Sequence, residues 1–453
     1  MVGLVVTAAV SALCLSGLAP AVAQERSSGD ASTASAASLS DRKSGKQSGG
    51  KDSRRKKEGK RAPAAPVRVE APIRPIGTLT PANFGIHSYQ GKPGLSSGSY
   101  RHNCYPLWRT LNPAPGVYDW TTGDQIIDES IAMGFRDVMF SFCGTPSWAA
   151  RTPVINPARE YWGEDSTAAP RDMSDWRRFL RDFVTRYGSR ISMYEAWNEA
   201  TAQYLWQGTP DEMAQMTQIL HEVVSELDPT AKVISANSQM GEQPAWFRSF
   251  FPKYMAALAA RGWPVDVVSI HTYAGHPSKI PPEEGVVKRA LVLDEFVAAV
   301  KAARIPSRVE LWDTETNYLG KAAPRLQQAL VLRTYLDSWR HGIKRTYWYM
   351  WVKERYPWLG IQMMDGEPGV TAYNTLMKWT VGAKFRGCAQ VDDIYLCEFV
   401  RSGKTFRLAY SVDYTTRQKL QLEKPTTVCE PTGSPCLSGK RKVTVTYMPV
   451  KIG

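Results

Sequence analysis

Short apolar runs alternate along the chain with longer segments whose apolar residues recur at helical spacing. The short runs predict buried strands, and the longer segments predict amphipathic helices. Strands that alternate with helices are typical of α/β proteins with a parallel sheet. The predicted strands are Phe84 to Tyr89, Tyr105 to Thr110, Arg136 to Cys143, Ile191 to Glu199, Lys232 to Ser238, Val265 to Tyr273, Arg308 to Thr316 and Lys344 to Trp351.

Helix start signals lie between these strands. Thr209-Pro210-Asp211-Glu212 is a capping box with proline at the first helical position, and an apolar stripe from Met213 to Leu227 follows it. Ser174 opens a second helix with an apolar stripe from Phe179 to Tyr187. We therefore expect an α/β fold, a (β/α)8 TIM barrel over residues 79–380, with its functional side chains at the C-terminal ends of the strands.

The pattern changes to short strands with period-2 alternation after residue 380. Ile394 to Val400, Thr405 to Ser411 and Lys442 to Tyr447 have this alternation, and a turn at Arg401-Ser402-Gly403-Lys404 separates the first two. Alternation of apolar and polar residues is typical of antiparallel sheets with one solvated face. Residues 381–453 are therefore predicted to form a small accessory β module.

The first 78 residues contain two segments that are predicted to lie outside the fold. An apolar run from Val2 to Leu18 precedes Ala21-Val22-Ala23, which predicts a signal peptide over residues 1–23. Residues 24–78 are rich in Ser, Ala, Lys, Arg and Pro, which predicts a disordered basic linker. From Asp41 to Arg61, ten lysines or arginines stand against three acidic residues, which gives +7 of the formal net charge of +13. The favoured interpretation of this basic segment is a solvated tether, and electrostatic contact with anionic polymers is the alternative.

Cysteine usage agrees with export. Six of the seven cysteines follow the signal segment, and an even number suits an oxidising compartment. Cys388 with Cys397, and Cys429 with Cys436, are close enough in sequence to bridge hairpins, whereas Cys104 and Cys143 are left without an assigned partner. No later stretch is long and apolar enough for a membrane span. We expect a protein of the cell envelope or the extracellular space, acting as a monomer.

Two glutamates, each at the end of an apolar run, carry the candidate chemistry. Glu199 ends Ile191 to Glu199, and Glu315 lies 116 positions later at the end of Val309 to Glu315. About three βα units of a barrel occupy that length, so both carboxylates reach one face. Paired carboxylates from different strands are what cleavage of a glycosidic bond requires. Strict alternation would send Asn198 and Glu199 to opposite faces, so the strand must break or bulge there.

The strand ends resemble those of clan A glycoside hydrolases, and in particular family 39. The motifs that carry the resemblance are Tyr194-Glu195-Ala196-Trp197-Asn198-Glu199, Thr145-Pro146-Ser147-Trp148-Ala149, His271-x-Tyr273, Thr314-Glu315-Thr316-Asn317 and a Trp-rich eighth strand. Pro113 to Trp120 is similar to the stretch that follows the second strand in that group. The resemblance covers roughly residues 80 to 412. It implies a retaining mechanism on a polysaccharide or oligosaccharide substrate.

The resemblance also implies roles for individual residues. Glu199 would be the general acid/base and Glu315 the nucleophile. Asn198 would hold the sugar 2-hydroxyl, Tyr273 would orient the nucleophile, and His271 would share that network. Arg109 matches the second-strand arginine near the nucleophile, Trp351 or Trp348 would form the sugar platform, and Trp148 and His87 would line the cleft.

Two departures from the family leave the substrate open. Ala200 stands where the family has proline after the acid, and Thr316 replaces an aromatic residue after the nucleophile. Xylose, arabinose, galactose and uronic acids all remain possible sugars. Glu195 and Glu310 are assigned structural roles away from the catalytic face. The chain shows no CxxC or HxH spacing, so we expect neither a metal nor another cofactor. The alternative function is an inactive carbohydrate-binding barrel held on anionic polymers by its basic tail.

Overall fold

The computed structural model describes residues 68–453 except for 89–90, 92, 96, 152–161, 241–243, 276–279, 319, 357–359 and 432–433. The predicted signal peptide and all but the last part of the predicted linker lie outside the described residues. Within the described part, an α/β barrel is followed by a separate antiparallel sheet, as the hydrophobic pattern predicts.

Parallel strands close into the barrel in the order β5-β4-β3-β2-β1-β9-β8-β7-β6, and β5 also pairs with β7. β5 and β6 are two segments of the fifth barrel strand, because Ile234 pairs with Val267 and Ser238 pairs with Ile270 of the same neighbour. The eight-stranded TIM-like architecture is therefore confirmed. The strands are β1 (Phe84–Ser88), β2 (Ser99–Asn103), β3 (Val138–Ser141), β4 (Met193–Glu195), β5 (Lys232–Ile234), β6 (Ser238–Met240), β7 (Val267–Thr272), β8 (Glu310–Thr316) and β9 (Ile343–Trp351).

The second strand differs from its prediction. Strand β2 is Ser99-Tyr100-Arg101-His102-Asn103, whereas Trp108–Leu111, inside the predicted strand Tyr105 to Thr110, is a short helix. Polar residues fill β2, yet the strand is almost wholly buried. Arg101 and Asn103 bond to glutamates inside the barrel, and His102 packs its ring against Tyr100 and Phe140. Hydrophobic patterning detects strands by apolar side chains and therefore misses this one.

Helices cover the outside of the barrel. The described helices are α1 (Trp108–Leu111), α2 (Thr121–Ala132), α3 (Met173–Tyr187), α4 (Pro210–Leu227), α5 (Pro244–Ala260), α6 (Pro282–Ala302), α7 (Pro324–Arg340) and α8 (Pro368–Thr380). The capping box predicted at Thr209 is present, with reciprocal hydrogen bonds to Glu212. The helix predicted to open at Ser174 begins one residue earlier, and Asp172 caps it by accepting a hydrogen bond from the Ser174 N–H.

Two apolar layers position the active end of the barrel. Inside the barrel, Met139, Met193, Ile234, Val267, Trp312 and Tyr347 form one buried cluster. Outside it, a larger cluster fills the space between strands and helices, and α3 contributes Trp176, Phe179 and Phe183 to it. Because the inner cluster fills the barrel, side chains beyond it toward the strand C-termini are supported from below.

The C-terminal sheet has six strands in the order β10-β11-β12-β15-β13-β14. They are β10 (Lys384–Val391), β11 (Ile394–Arg401), β12 (Lys404–Ser411), β13 (Gln418–Cys429), β14 (Leu437–Val445) and β15 (Val450–Ile452). The strand predicted from Lys442 to Tyr447 begins earlier, at Leu437, and ends at Val445. Trp339 of α7 packs edge-on against Phe399 of β11, so the sheet shares a core with the barrel helices.

Three disulfides connect the six cysteines of the described residues. Cys388–Cys397 and Cys429–Cys436 confirm the two predicted pairs. The third, Cys104–Cys143, joins the residue that follows β2 to a residue just beyond β3. It therefore lies at the end of the barrel where β2 delivers its last side chain, Asn103.

Residues 68–78, assigned to the linker by composition, pack on the folded domain. Glu70 pairs with Cys388 and Thr78 with Lys384, so this segment adds to the edge of β10. The Arg74 guanidinium donates to the carbonyl of Ile305 at 2.6 Å, and Ile76 is buried. The ordered domain thus begins before residue 79. Among the described helices, none is both long and apolar enough to cross a membrane.

Candidate active site

Glu199 lies on a turn beyond the end of its strand. Strand β4 ends at Glu195, and Glu199 has a φ of 48°, in the left-handed region. Its backbone N–H donates to Oδ1 of Asn237 at 2.7 Å, and the Ala200 N–H donates to the Asn237 carbonyl at 3.1 Å. The break predicted between Asn198 and Glu199 is therefore present, and Asn237 holds the backbone in this unusual conformation.

Three donors hold Glu315 at the C-terminal end of β8. The Tyr273 hydroxyl donates to Oε1 at 2.7 Å. Arg101 Nη1 and Asn103 Nδ2 each donate to Oε2 at 3.1 Å. Hydrogen bonds to both oxygens fix the carboxylate plane and favour its ionised form.

The two glutamates face each other across His271. Its Nδ1 lies 2.9 Å from Oε1 of Glu199 and 4.0 Å from Oε1 of Glu315. One oxygen of each carboxylate and one ring nitrogen all lie within 4.8 Å of one another. Glu199 is 8% exposed and Glu315 is 7% exposed, so both groups are largely withdrawn from water.

Burial separates the chemistry of these carboxyls from that of surface glutamates. Desolvation raises the pKa of Glu199 to about 7, with Arg101 lowering it and Glu195 raising it. Desolvation also raises the pKa of Glu315, while His271, Arg101 and the Tyr273 hydroxyl act in the opposite direction. Three donors bond to Glu315, whereas the Glu199 carboxyl bonds to the ring nitrogen of His271, so Glu199 is the better proton donor of the pair.

A buried network beneath the pair is organised by Arg101. Its Nε and Nη2 donate to Oε2 of Glu195 at 3.0 and 2.5 Å, and Nη2 also donates to Oδ1 of Asn198 at 2.9 Å. Oε1 of Glu195 accepts a hydrogen bond from Thr314 at 2.9 Å. Glu195, assigned a role away from the catalytic face, thus lies directly below the site. Glu310 does lie at the opposite end of β8, where it pairs with Lys344 and Lys232.

Arg109 does not take the position predicted for it. It lies in helix α1, and its Nη1 donates to the carbonyl of Glu164 at 2.9 Å and to that of Trp162 at 3.4 Å. The arginine beside Glu315 is Arg101. The error follows from the misplaced second strand, since the arginine of the segment Leu107-Trp108-Arg109 was matched instead of the arginine in the polar strand β2.

The predicted histidines and the tyrosine lie close to the carboxylates. His87, in β1, has Nε2 3.0 Å from the carbonyl oxygen of Thr314, and its ring centroid is 5.1 Å from that of Tyr349. Burial lowers the pKa of His87 and that of His271, so both rings are neutral near pH 7. Burial and the Glu315 charge raise the pKa of Tyr273, which keeps its hydroxyl protonated as a donor.

The three predicted tryptophans differ in position. Trp351 ends β9, is 5% exposed, and donates from Nε1 to Oδ1 of Asp365 at 3.3 Å. Trp148 is half-buried and donates to the carbonyl of Asn112 at 2.9 Å. Trp348 is fully buried, and its Nε1 donates to the carbonyl of Ile361 at 3.1 Å. Because neighbouring Tyr347 faces the barrel interior, Trp348 faces the helices and is a core residue.

Several site residues were not found from the sequence. Asn103 donates to Glu315, Asn237 holds the Glu199 backbone, and Tyr349 packs its half-buried ring against His87. Asn237 lies between the two segments of the fifth strand and Tyr349 lies near the end of β9, so a place near a strand end is the signal for these two. Asn103 ends β2, which the hydrophobic pattern does not detect. Arg101 gave no such signal, because it lies inside a strand that the pattern missed.

The arrangement of Glu199, His271 and Glu315 also resembles a small metal site in its dimensions. However, Tyr273, Arg101 and Asn103 already donate to the two oxygens of Glu315, and the Arg101 cation lies 3.1 Å away. A neighbouring cation and occupied lone pairs disfavour a second cation. The surroundings of these three groups therefore suit a pair of carboxyls better than a metal ion.

The fold of this chain is similar to that of solved glycoside hydrolases. No protein-family model matches the chain. No curated protein sequence matches it significantly. Among solved structures, a family 39 glycoside hydrolase from Bacteroides cellulosilyticus superposes with a TM-score of 0.62 at 16% identity, over 84% of this chain and 81% of that chain.

Two further structures have the same fold. A family 39 β-xylosidase from Caulobacter crescentus has a TM-score of 0.55 at 16% identity, over 84% of this chain and 97% of that chain. A family 30 endoxylanase from Clostridium papyrosolvens has a TM-score of 0.54 at 14% identity, over 83% and 97% of the two chains. The fold resemblance to clan A, and to family 39 within it, is confirmed.

Proposed function

We propose that this protein is a secreted retaining glycoside hydrolase that cleaves O-glycosidic bonds of a cell-envelope or extracellular polysaccharide. The observation that carries the proposal is the approach of Glu199 and Glu315, whose nearest carboxylate oxygens lie within 4.8 Å. Retaining glycosidases have carboxyl groups about 5 to 5.5 Å apart, whereas inverting enzymes need about 6.5 to 9.5 Å to admit a water molecule. The short separation favours direct attack by one carboxylate.

In the first step, Glu315 attacks the anomeric carbon as the glycosidic bond breaks. Glu199 gives its proton to the departing glycosidic oxygen, so that the leaving group departs as a neutral alcohol and a glycosyl ester forms on Glu315. A pKa of about 7 keeps Glu199 protonated in weakly acidic medium. The donors Arg101, Asn103 and Tyr273 keep Glu315 ionised and correctly oriented before the attack.

In the second step, Glu199 acts as the base. Now ionised, it takes a proton from water, and the resulting hydroxide attacks the anomeric carbon while the ester bond to Glu315 breaks. Glu315 leaves as a carboxylate and Glu199 ends protonated, so both groups return to their starting states. Two displacements at one carbon retain its configuration.

The surrounding residues have roles that follow from their contacts. Asn198 has its Oδ1 held by Arg101 at 2.9 Å, an orientation suited to binding a sugar hydroxyl next to Glu315. His271 bonds to Glu199 and lies beside Glu315, so it can hydrogen-bond to Glu199 in both protonation states of that carboxyl. Trp351, Trp148 and His87 are proposed to line the sugar-binding cleft, with Tyr349 as an additional aromatic wall.

Secretion is supported by two features. The apolar N-terminal segment ends in a small-x-small pattern, and three disulfides join all the other cysteines of the chain. Disulfides persist in oxidising compartments outside the cytosol. The basic segment from Asp41 to Arg61 is proposed to be a solvated tether, with electrostatic contact to anionic polymers as the alternative.

A polysaccharide panel tests the proposal. The purified protein is incubated with soluble polysaccharides, and proton NMR follows the anomer released first. We expect the retained anomer, together with losses of at least about a thousandfold in Glu199→Gln and Glu315→Gln on natural polymers. Glu310→Gln is the matched control, because Glu310 begins the strand that carries Glu315 but pairs with lysines at the other end.

Release of the inverted anomer would refute the retaining mechanism. Binding without turnover on every polymer would instead support the inactive carbohydrate-binding barrel.

A further inference from the structure

One guanidinium connects two of the three buried glutamates of the site, Glu195 and Glu315. Arg101 uses Nε and Nη2 on Glu195 and Nη1 on Glu315, and Nη2 also reaches Asn198 and, at 3.3 Å, the Ser141 hydroxyl. Both side chains of the Arg101–Glu195 pair are completely shielded from solvent. A cation held on one side by Glu195 therefore presents a single N–H donor to Glu315.

Glu195 is ionised in this setting. Burial acts to raise its pKa, but the charge of Arg101 and hydrogen bonds from Arg101 and Ser141 bring its pKa below the ordinary value. Its two oxygens are fully used, Oε2 by Arg101 and Oε1 by Thr314. The residue preceding Glu315 in the chain is Thr314, so Glu195 is tied to the nucleophile's strand as well as to its arginine.

We propose that Glu195 is a positioning residue that holds Arg101 on Glu315 and offsets the arginine charge felt by Glu199. This inference rests on the proposed function, because it assigns a task within the two-carboxylate mechanism. Without the Glu195 charge, Arg101 would stabilise the ionised form of both remaining carboxylates, and Glu199 would lose its proton at lower pH. Arg101 would also turn more fully toward Glu315 and Asn198, which moves the nucleophile from its productive position.

The charged and titratable groups that face this network come from five of the barrel strands or the turns that follow them. They are His87 of β1, Arg101 of β2, Glu195 and Glu199 from β4 and the turn after it, His271 and Tyr273 from the end of β7, and Glu315 of β8. Asp313 acts on His271 from the opposite face of β8, where Arg289 neutralises it. Of these groups, only Glu195 and Glu315 are carboxylates bonded to Arg101, so Glu195 is the one that balances it independently of catalysis.

Glu195→Gln removes the charge and keeps the shape. The amide oxygen can accept from Arg101, while the amide NH2 faces the Thr314 hydroxyl, which can accept in place of donating. We expect the upper pKa of the kcat/KM profile to fall by about one unit, and kcat to fall about a hundredfold with little change in KM. The profile is measured on the polysaccharide that the panel identifies. An upper limb at the wild-type pH in this variant would overturn the proposal.

Glu310→Gln is the matched control. Glu310 also accepts ion pairs inside the barrel wall, from Lys344 at 2.7 Å and Lys232 at 3.6 Å, but far from the carboxylate pair. If Glu195 served only to stabilise the fold, the two variants would behave alike. Both would then lose thermal stability, and neither would shift the pH profile.

A substrate-independent readout separates this inference from the proposed function. Protein labelled with 13C at the glutamate side-chain carboxyl is titrated by NMR, and the Glu199 signal is identified by its loss in Glu199→Gln. The pKa of Glu199 must fall in Glu195→Gln even if no polysaccharide is hydrolysed, and an unchanged value would overturn the inference.

Should the Gln variant fail to fold, Glu195→Asp keeps the charge at shorter reach. It must then leave the upper limb in place while kcat falls, and wild-type kcat in Glu195→Asp would refute positioning.

Discussion

His271 is bonded to Glu199 through Nδ1 and Oε1, 2.9 Å apart, and the same nitrogen lies 4.0 Å from Glu315. Burial lowers the pKa of His271, so the ring is neutral where Glu199 changes its protonation state. A neutral imidazole can accept from the protonated acid or donate to the ionised one. The pair is thus suited to a carboxyl that gives and regains a proton in each cycle.

The first prediction concerns pH. Activity requires Glu199 protonated and Glu315 ionised, so kcat/KM should fall as pH rises through about 7, the pKa of Glu199. It should fall again at low pH, through a pKa of Glu315 that burial raises above its ordinary value. Rates measured from about pH 4 to about pH 9 should therefore give a bell with its optimum on the acidic side of neutrality. A rate that keeps rising above pH 8 would contradict the role of Glu199 as acid.

The second prediction separates acid from nucleophile. In Glu199→Ala, an aryl glycoside with a very acidic phenol should keep its first step, because such a leaving group needs no proton. Added azide should then raise turnover by replacing the unactivated water and give a glycosyl azide of retained configuration. Glu315→Ala should be inactive on the same substrate, and azide should give the inverted product if it reacts at all.

The third prediction concerns the two arginines. Arg101→Lys keeps a positive charge but cannot reach Glu195, Glu315 and Asn198 together, so kcat should fall about a hundredfold. Arg109→Lys is the control, since Arg109 donates to the backbone carbonyls of Trp162 and Glu164. Steady-state rates and circular dichroism on both variants provide the test. Equal losses in the two variants would argue against Arg101 as the nucleophile's partner.

The fourth prediction concerns Tyr273. Its hydroxyl donates to Oε1 of Glu315 at 2.7 Å, and Tyr273→Phe removes this donor without changing the ring. We expect kcat to fall about a hundredfold, a typical loss for one donor to a reacting carboxylate or oxyanion. The lower limb of the pH profile should also move to higher pH, because the ionised form of Glu315 loses a stabilising hydrogen bond. Tyr349→Phe serves as the comparison, and no shift of the lower limb is expected there.

The fifth prediction is about stability. A buried acid with a raised pKa binds more protons in the folded state, so ionisation of Glu199 destabilises the fold as pH rises from its unfolded pKa toward about 7. Glu199→Gln should therefore unfold at a temperature higher than wild type by roughly 2 °C or more at pH 8. The difference should vanish below pH 4.5, where both states hold the proton. Calorimetry of both proteins at pH 8 and below pH 4.5 measures the difference in unfolding temperature and so checks the prediction.

Most residues of the candidate site could be predicted from the sequence alone. The site residues lie at the ends of strands with strong apolar patterns or just after them, and the structure brings them together: Glu199, Glu315, Asn198, His271 and Tyr273. Their assignment required only that parallel strands present their C-terminal ends at one face. The alternation of strands and helices and the two short-range disulfides are equally local properties, and both are confirmed.

The remaining features depend on partners far away in the chain. β2 is a buried strand because Arg101 meets Glu195 and Glu315, 94 and 214 positions later, and no local pattern records that pairing. The disulfide between Cys104 and Cys143 and the hydrogen bond from the Glu199 N–H to Asn237 also join residues that are distant in sequence. Trp348 faces the helices because the closed barrel determines which face of β9 is the interior. The sequence determined which strands lead to the paired carboxylates, because burial of apolar side chains is a local signal. Only the tertiary structure decided which buried charges neutralise each other, because that depends on the distance between strands that are remote in sequence.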